Sequence, residues 1–214
     1  MMSQQIVVLG MHASGTSLTA HLIKEMGVHI GDTFMGPMKG KPTWEDKQIV
    51  LLNAAILNRA GGNWENVPEH DRIVGLQFDD EISGKIKGLV DNREAQHALW
   101  GWKDPRSALT IELYMPYLSN PKYVYVKRDP AAVAQSILAR GLSGHDFEGW
   151  VRIAYEYNRR IDLFLQSTDA PRLQLFYEDL MKRGQSLAEV CRLAWFVGAD
   201  GDQAERAMGV IRFK

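Results

Sequence analysis

The densest run of chemically useful residues in the chain is Gly10-Met11-His12-Ala13-Ser14-Gly15-Thr16-Ser17. It follows the β-branched apolar run Ile6-Val7-Val8-Leu9 and leads into Leu18, Leu22, Ile23 and Met26 at helical spacing. A strand that turns through such a loop into a helix aims backbone N–H groups, and the positive end of the helix dipole, at one point. That arrangement suits a phosphate or another anion. The two glycines have the spacing of a nucleotide-triphosphate loop, but Thr16 stands where that loop carries its lysine. The usual cation for β- and γ-phosphates is therefore missing, which counts against an ATPase or GTPase. Two other cations close apolar runs: Lys103 after Ala98–Trp102, and Arg128 after Lys122–Lys127. A guanidinium fork matches the paired oxygens of a phosphate, and Ser136, eight residues on, adds a hydroxyl donor. Each feature also has a plain structural reading: a tight turn, a surface lysine, an arginine paired with Asp129.

These groups need elements to hold them. Ile6–Leu9 reads as a buried strand and Gly15–Met26 as the helix after the loop. Residues 28–43, with Gly31, Gly36, Pro37, Gly40 and Pro42, read as a loop. A second helix runs from Glu45 to Arg59, stopped by Gly61-Gly62, and a third spans 79–91 across Gly84 and Gly88. Ala98–Trp102, Lys122–Lys127 and Leu173–Phe176 read as strands. Ala131–Arg140 and Phe147–Leu165 read as helices, with three more near 178–182, 186–196 and 202–211. Pro130 suits a first helical turn. Strands separated by helices require crossovers and hence a parallel sheet covered on both faces. The predicted fold class is a three-layer α/β sheet, one domain over residues 1–214, with its site beyond the carboxyl ends of the strands.

The order of these motifs resembles the sulfotransferases that use 3′-phosphoadenosine 5′-phosphosulfate (PAPS), most closely the bacterial and tyrosylprotein types. Gly-Met-His-x-Ser-Gly-Thr-Ser after a short strand is similar to their 5′-phosphosulfate loop, which places His12, Ala13, Ser14, Gly15, Thr16 and Ser17 around the donor. The family carries Lys or Arg before Ser-Gly-Thr, whereas this chain has Ala13. Arg128 and Ser136 resemble the 3′-phosphate pair, and Tyr177 in Tyr-Glu-Asp-Leu falls near the adenine. Lys103-Asp104-Pro105 resembles the element whose lysine stabilises the leaving phosphate. Trp44-Glu45-Asp46 resembles an aromatic-Glu-Asp segment that supplies the base, with Glu45 first and Asp46 second; capping of the next helix is the competing role. His12 is a further donor to the 5′ end, and with an ordinary pKa of ~6.5 its help would depend on pH. The resemblance covers about residues 5–180, and it implies a P-loop NTPase-like topology and sulfuryl transfer to a small-molecule, sugar or peptide acceptor. A binding-only relative and, behind it, a small-molecule kinase are the alternatives.

Composition sets the bounds. With 214 residues, 45% hydrophobic, and a net charge of −1, the chain has no global bias toward nucleic acid or membrane, so any anion site is local. The single cysteine, Cys191, excludes an internal disulfide and reads as a small apolar residue of a C-terminal helix. No apolar run approaches ~20 residues, and Met1–Gln5 shows no basic leader, so a cytoplasmic protein without an anchor is expected. The six histidines show no metal-ligand spacing in the sequence, and no metal is predicted. Residues 28–44 and 60–97 are expected to line the acceptor pocket.

Overall fold

The computed structural model describes residues 3–212. The first strand, β1 (Gln4–Leu9), lies inside a four-stranded sheet of order β2-β1-β3-β4, with β2 Leu99–Lys103, β3 Pro121–Lys127 and β4 Arg172–Phe176. All pairings are parallel. Val8 stands opposite Lys103 on one side and Val124 on the other, and Lys127 stands opposite Phe176. The strands therefore end together, and every loop that leaves a carboxyl end opens at one edge of the sheet.

Period-two alternation gives the sheet two cores. Val7, Leu9, Trp100, Trp102, Tyr123 and Tyr125 face one apolar cluster. Ile6, Val8, Val124, Val126 and Leu175 face the other. Helix α1 (Thr16–Glu25) covers the second face, as do two helices near the end of the chain. On the first face lie α2 (Lys47–Arg59), the short α3 (His70–Val74), α4 (Asp80–Gln96), α5 (Ser107–Tyr114), α6 (Pro130–Leu138) and α7 (Phe147–Gln166). After β4, the short α8 (Tyr177–Leu180) leads into α9 (Ser186–Val197) and α10 (Gly201–Met208), the pair that joins α1. The predicted three-layer parallel α/β architecture is present.

Several boundaries differ from the sequence reading for physical reasons. Helix α2 begins at Lys47 and not at Glu45, because Asp46 is its N-cap and accepts from the Gln48 N–H at 2.8 Å. Gly84 and Gly88 do not weaken α4 enough to stop it: both face open space, and the helix runs five residues past the predicted end. Helix α5 was not foreseen. Seven of its eight residues are buried, so it presents no polar face for a periodicity to reveal. Cys191 lies exposed on α9 and adds nothing to the core. Among the described residues, no helix is long and apolar enough to cross a membrane.

One close approach ties β1 to β2. A Cβ on Gly101 would stand 1.9 Å from the Ile6 carbonyl oxygen, so only glycine fits there. Gly101→Ala should lower the unfolding free energy by about 1–3 kcal/mol, the usual cost of overpacking. Urea unfolding measures it, and an unchanged midpoint would mean that the two strands are not held so tightly.

Candidate functional site

The loop after β1 is shaped by two glycines. Gly10 has φ +155°, and a Cβ there would lie 2.7 Å from the Val126 carbonyl oxygen. Gly15, the N-cap of α1, has φ +102°, and a Cβ would meet the Tyr177 ring at 2.4 Å. No side chain caps α1, and no acidic residue stands in its first turn, so its leading N–H groups are left for an external acceptor. Ser14 is buried and its hydroxyl has no partner. A buried polar group without a partner is costly, and a phosphate oxygen would satisfy it.

A cavity of about 840 Å³ opens over this loop. Of the residues singled out in the sequence, His12, Ala13, Thr16, Ser17, Glu45, Lys103 and Tyr177 line it. Lys103, at the end of β2, is 1% exposed. Its ammonium donates to Glu45 Oε1 at 2.7 Å and to Ser17 Oγ at 3.1 Å. Burial pulls its pKa down and the Glu45 carboxylate opposes this. One buried cation is thus held between the loop and a carboxylate from the start of α2.

Asp46, the second candidate base, does not join them. It is buried, caps α2, and accepts from Arg93 Nη2 at 2.7 Å. Burial raises its pKa against the pull of Arg93. Its place is structural, and Glu45 alone of the pair reaches the cavity. Arg128 and Ser136 do not line the cavity, though Arg128 touches two residues that do. Arg128 donates to the Ala13 carbonyl oxygen at 2.7 Å and lies 4.4 Å over the Tyr177 ring. Ser136 sits half-buried on the second turn of α6. No residue of 60–97 lines the cavity; from that segment the Trp64 ring packs 4.3 Å from that of His12.

Sequence reasoning missed Arg140. It lines the cavity, one turn beyond Ser136, and has no carboxylate partner among the described residues; its Nη1 rests 3.8 Å from the Met38 sulfur. The i, i+4 spacing from Ser136 was the available signal. Lys39, Lys41 and Arg212 add positive charge to the lining, where Glu45 is the one carboxylate among the described residues. Backbone strain converges here too. The three non-glycine residues with left-handed φ among the described residues are Ala13, Lys39 and Trp44, and all three line the cavity. Trp44 is held in that conformation by His21, Phe34 and Lys24 around its ring, and Glu45 follows it directly.

A second hollow of about 580 Å³ lies between α2 and α4 and gathers none of these groups. His29, Asp32 and His97, scattered in sequence, offer ligand atoms within 4.8 Å of one another. The Arg93 guanidinium holds Asp32 and lies 3.5 Å from His29 Nε2, so a cation already stands beside two of the three.

No family model matches the chain, and no curated protein matches it in sequence. Among solved structures, it is similar to the sulfotransferase domain from the Synechococcus PCC 7002 olefin synthase. Identity is 17% and the TM-score 0.59, over 99% of this chain and 78% of that one. It is also similar to the sulfotransferase STF1 from Mycobacterium tuberculosis H37Rv, at 16% identity and TM-score 0.55, over 100% and 73% of the two chains. Shikimate kinase from Bacteroides thetaiotaomicron matches at 11% identity and TM-score 0.50, over 92% of this chain and 99% of that one. The likeness is one of fold: a P-loop-like α/β architecture that these sulfotransferases and this kinase have in common.

The surroundings of His12 give a pH dependence. Its Nε2 is shut off from solvent without a partner, and burial, then Arg106, Lys103 and Arg140, hold its pKa well below 6.5. It is neutral in the folded protein near pH 7, so any help it gives an anion comes from a neutral ring and does not follow the ordinary titration expected from sequence. The unfolded chain takes up a proton near pH ~6.5 that the folded His12 refuses, so stability falls as pH drops below that value. His12→Gln should flatten the loss of unfolding free energy between about pH 7.5 and about 5.5, by at most about 1.4 kcal/mol per pH unit. Burial shifts His21 and His29 the same way, and they keep the remainder of the slope. Denaturant titrations of both proteins at the two pH values test this; parallel slopes would refute it.

Proposed function

We propose that the chain is a sulfotransferase that moves a sulfuryl group from PAPS to a hydroxyl or amine acceptor. The observation that carries this reading is the buried Lys103 ammonium, held between Ser17 of the anion loop and Glu45. In the proposed reaction the acceptor oxygen or nitrogen attacks sulfur while the bond from sulfur to the bridging oxygen breaks. The electron pair leaves with the phosphate, and Lys103 meets the charge that develops there. Glu45 takes the acceptor proton. Before the donor arrives, the base and the ammonium neutralise one another; the donor offers Lys103 a second anion and leaves Glu45 freer to act.

The donor's charge is matched by groups from separate elements. The loop and the start of α1 supply N–H groups and the Ser14 hydroxyl for the 5′ end. Arg128 and Ser136 are assigned to the 3′-phosphate, and Tyr177, packed on Gly15 and under Arg128, to the adenine side. Arg140, a cavity-facing guanidinium without a carboxylate, belongs with them. The kinase alternative shares the fold, but Thr16 is buried in the position of the missing lysine.

Calorimetry tests the donor. Adenosine 3′,5′-bisphosphate should bind more tightly than AMP, and Arg128→Ala should erase the preference, at a cost on the order of 1.5–3 kcal/mol for a charge-assisted contact. Equal affinity in the unmodified protein would sink the assignment, and magnesium-dependent ATP consumption would favour the kinase.

Catalysis is tested at two positions. Lys103→Ala should lower turnover far more than it weakens binding of the bisphosphate product. Ala13→Arg should raise sulfuryl transfer more than PAPS affinity, by roughly 10- to 100-fold for a restored contact of ~1.5–3 kcal/mol. Donor binding with no turnover in either the parent or Ala13→Arg would mark a binding-only relative.

A further inference from the structure

Helix α2 and the residue that leads into its N-cap touch the end of β2 at two points. Just ahead of Asp46, Glu45 accepts from Lys103. On its second turn, Asn53 is 0% exposed and uses its whole amide. Its Nδ2 donates to Asp104 Oδ2 at 2.9 Å and to Ser107 Oγ at 3.1 Å. Its Oδ1 accepts from Thr110 Oγ1 at 2.7 Å and from Tyr114 OH at 2.9 Å. Asp104 is itself buried, its other oxygen held by the Arg106 backbone N–H and guanidinium. Ser107 also accepts from Trp102 Nε1 at 2.9 Å.

Asparagine is a mediocre helix former, and a buried amide is costly unless fully bonded. An aliphatic side chain would pack α2 against α5 more simply. What the amide adds is direction. One contact between a helix and a strand end leaves the helix free to slide or turn, whereas two contacts at different points along α2 fix both movements. The second contact lands on Asp104, the residue next to Lys103.

We propose that Asn53 is a positioning residue that sets the Glu45–Lys103 separation by locking α2 to the turn between β2 and α5. The proposal rests on the reading of Lys103 and Glu45 given above. Asn53 touches neither donor nor acceptor, so it acts on the chemical step and leaves donor affinity alone.

Slow hydrolysis of PAPS to adenosine 3′,5′-bisphosphate and sulfate, with water as acceptor, provides a rate that needs no acceptor to be known. Asn53→Ala should keep the bisphosphate dissociation constant within about twofold while kcat for hydrolysis falls about 10- to 100-fold, the scale of a misplaced catalytic group. The basic limb of the pH–rate profile should move to lower pH, because Lys103 loses the carboxylate that opposes the pull of burial on its ammonium; the charges of Asp104 and Arg106, which also reach Lys103, stay in place. Thr110→Val and Tyr114→Phe keep the amide and remove one anchor each, and should show smaller shifts of the same kind. They decide the matter if Asn53→Ala does not fold. Unchanged kcat and an unchanged basic limb, with only a lower melting temperature, would make Asn53 merely structural and overturn the proposal. A parent that neither prefers the bisphosphate over AMP nor hydrolyses PAPS would overturn the reading of the site, and this inference with it.

Discussion

The position of β1 is the constraint on which the site depends. It is paired in parallel on both sides, so the ends of β2, β1 and β3 meet at one edge of the sheet, and β4 ends beside β3. The chain leaving β1 has nowhere to go but a tight turn under the end of β3. Gly10 makes that turn possible, since a Cβ would collide with the Val126 carbonyl oxygen and with Ser14 Oγ. Gly15 then passes beneath Tyr177, which comes from the end of β4. The anion loop is thus compressed between two other strand ends, and its glycines answer contacts far away in sequence.

Placing the groups costs stability locally. Three non-glycine residues adopt left-handed backbone conformations, at roughly 1–3 kcal/mol each, and an ammonium is almost wholly removed from water. An unpaired buried charge would be far more expensive. The Glu45 carboxylate and the Ser17 hydroxyl reduce that penalty, and the two apolar clusters on the faces of the sheet supply the surplus that tolerates the remainder. The strained backbone and the buried Lys103 ammonium share one cavity, while the hollow between α2 and α4 is lined by neither.

Much of this was legible in the sequence, and the failures share a cause. Ile6–Leu9 and Lys122–Lys127 were readable because parallel strands buried on both faces form unbroken apolar runs. The turn from β1 into α1 was readable because Gly10 and Gly15 mark it locally. What escaped depends on tertiary contact. Gln4 and Gln5 look too polar for a strand, yet Gln5 is fully buried because Ser3, Glu94, Ser119 and Asn120 satisfy its amide. Helix α5 is buried on every side and carries no periodic signature. Glu45 and Asp46 are adjacent and chemically alike. Only the fold separates them, turning one toward Lys103 and the other toward Arg93.

The absence of a loop cation at position 13 changes how the site must work. In a loop with its own lysine, one short segment supplies both N–H donors and countercharge. Here the loop supplies dipoles alone, and the cations come from the end of β2, the end of β3 and the residue after the C-cap of α6. Arg128 and Arg140 lie close enough to repel one another: after burial, the neighbouring Arg128 charge is the next influence lowering the Arg140 pKa. Neither pairs directly with a carboxylate among the described residues; Glu45 offsets the Arg140 shift from a distance, and Met38 offers it only a thioether, a weak acceptor. Two guanidiniums held in mutual repulsion are a poor arrangement for a fold, and under the proposed function a multiply charged donor would turn that repulsion into shared attraction. Because these cations belong to two different crossovers, β2 to β3 and β3 to β4, they converge only when the sheet is assembled, so the positive charge around the loop is a property of the whole architecture and not of the loop.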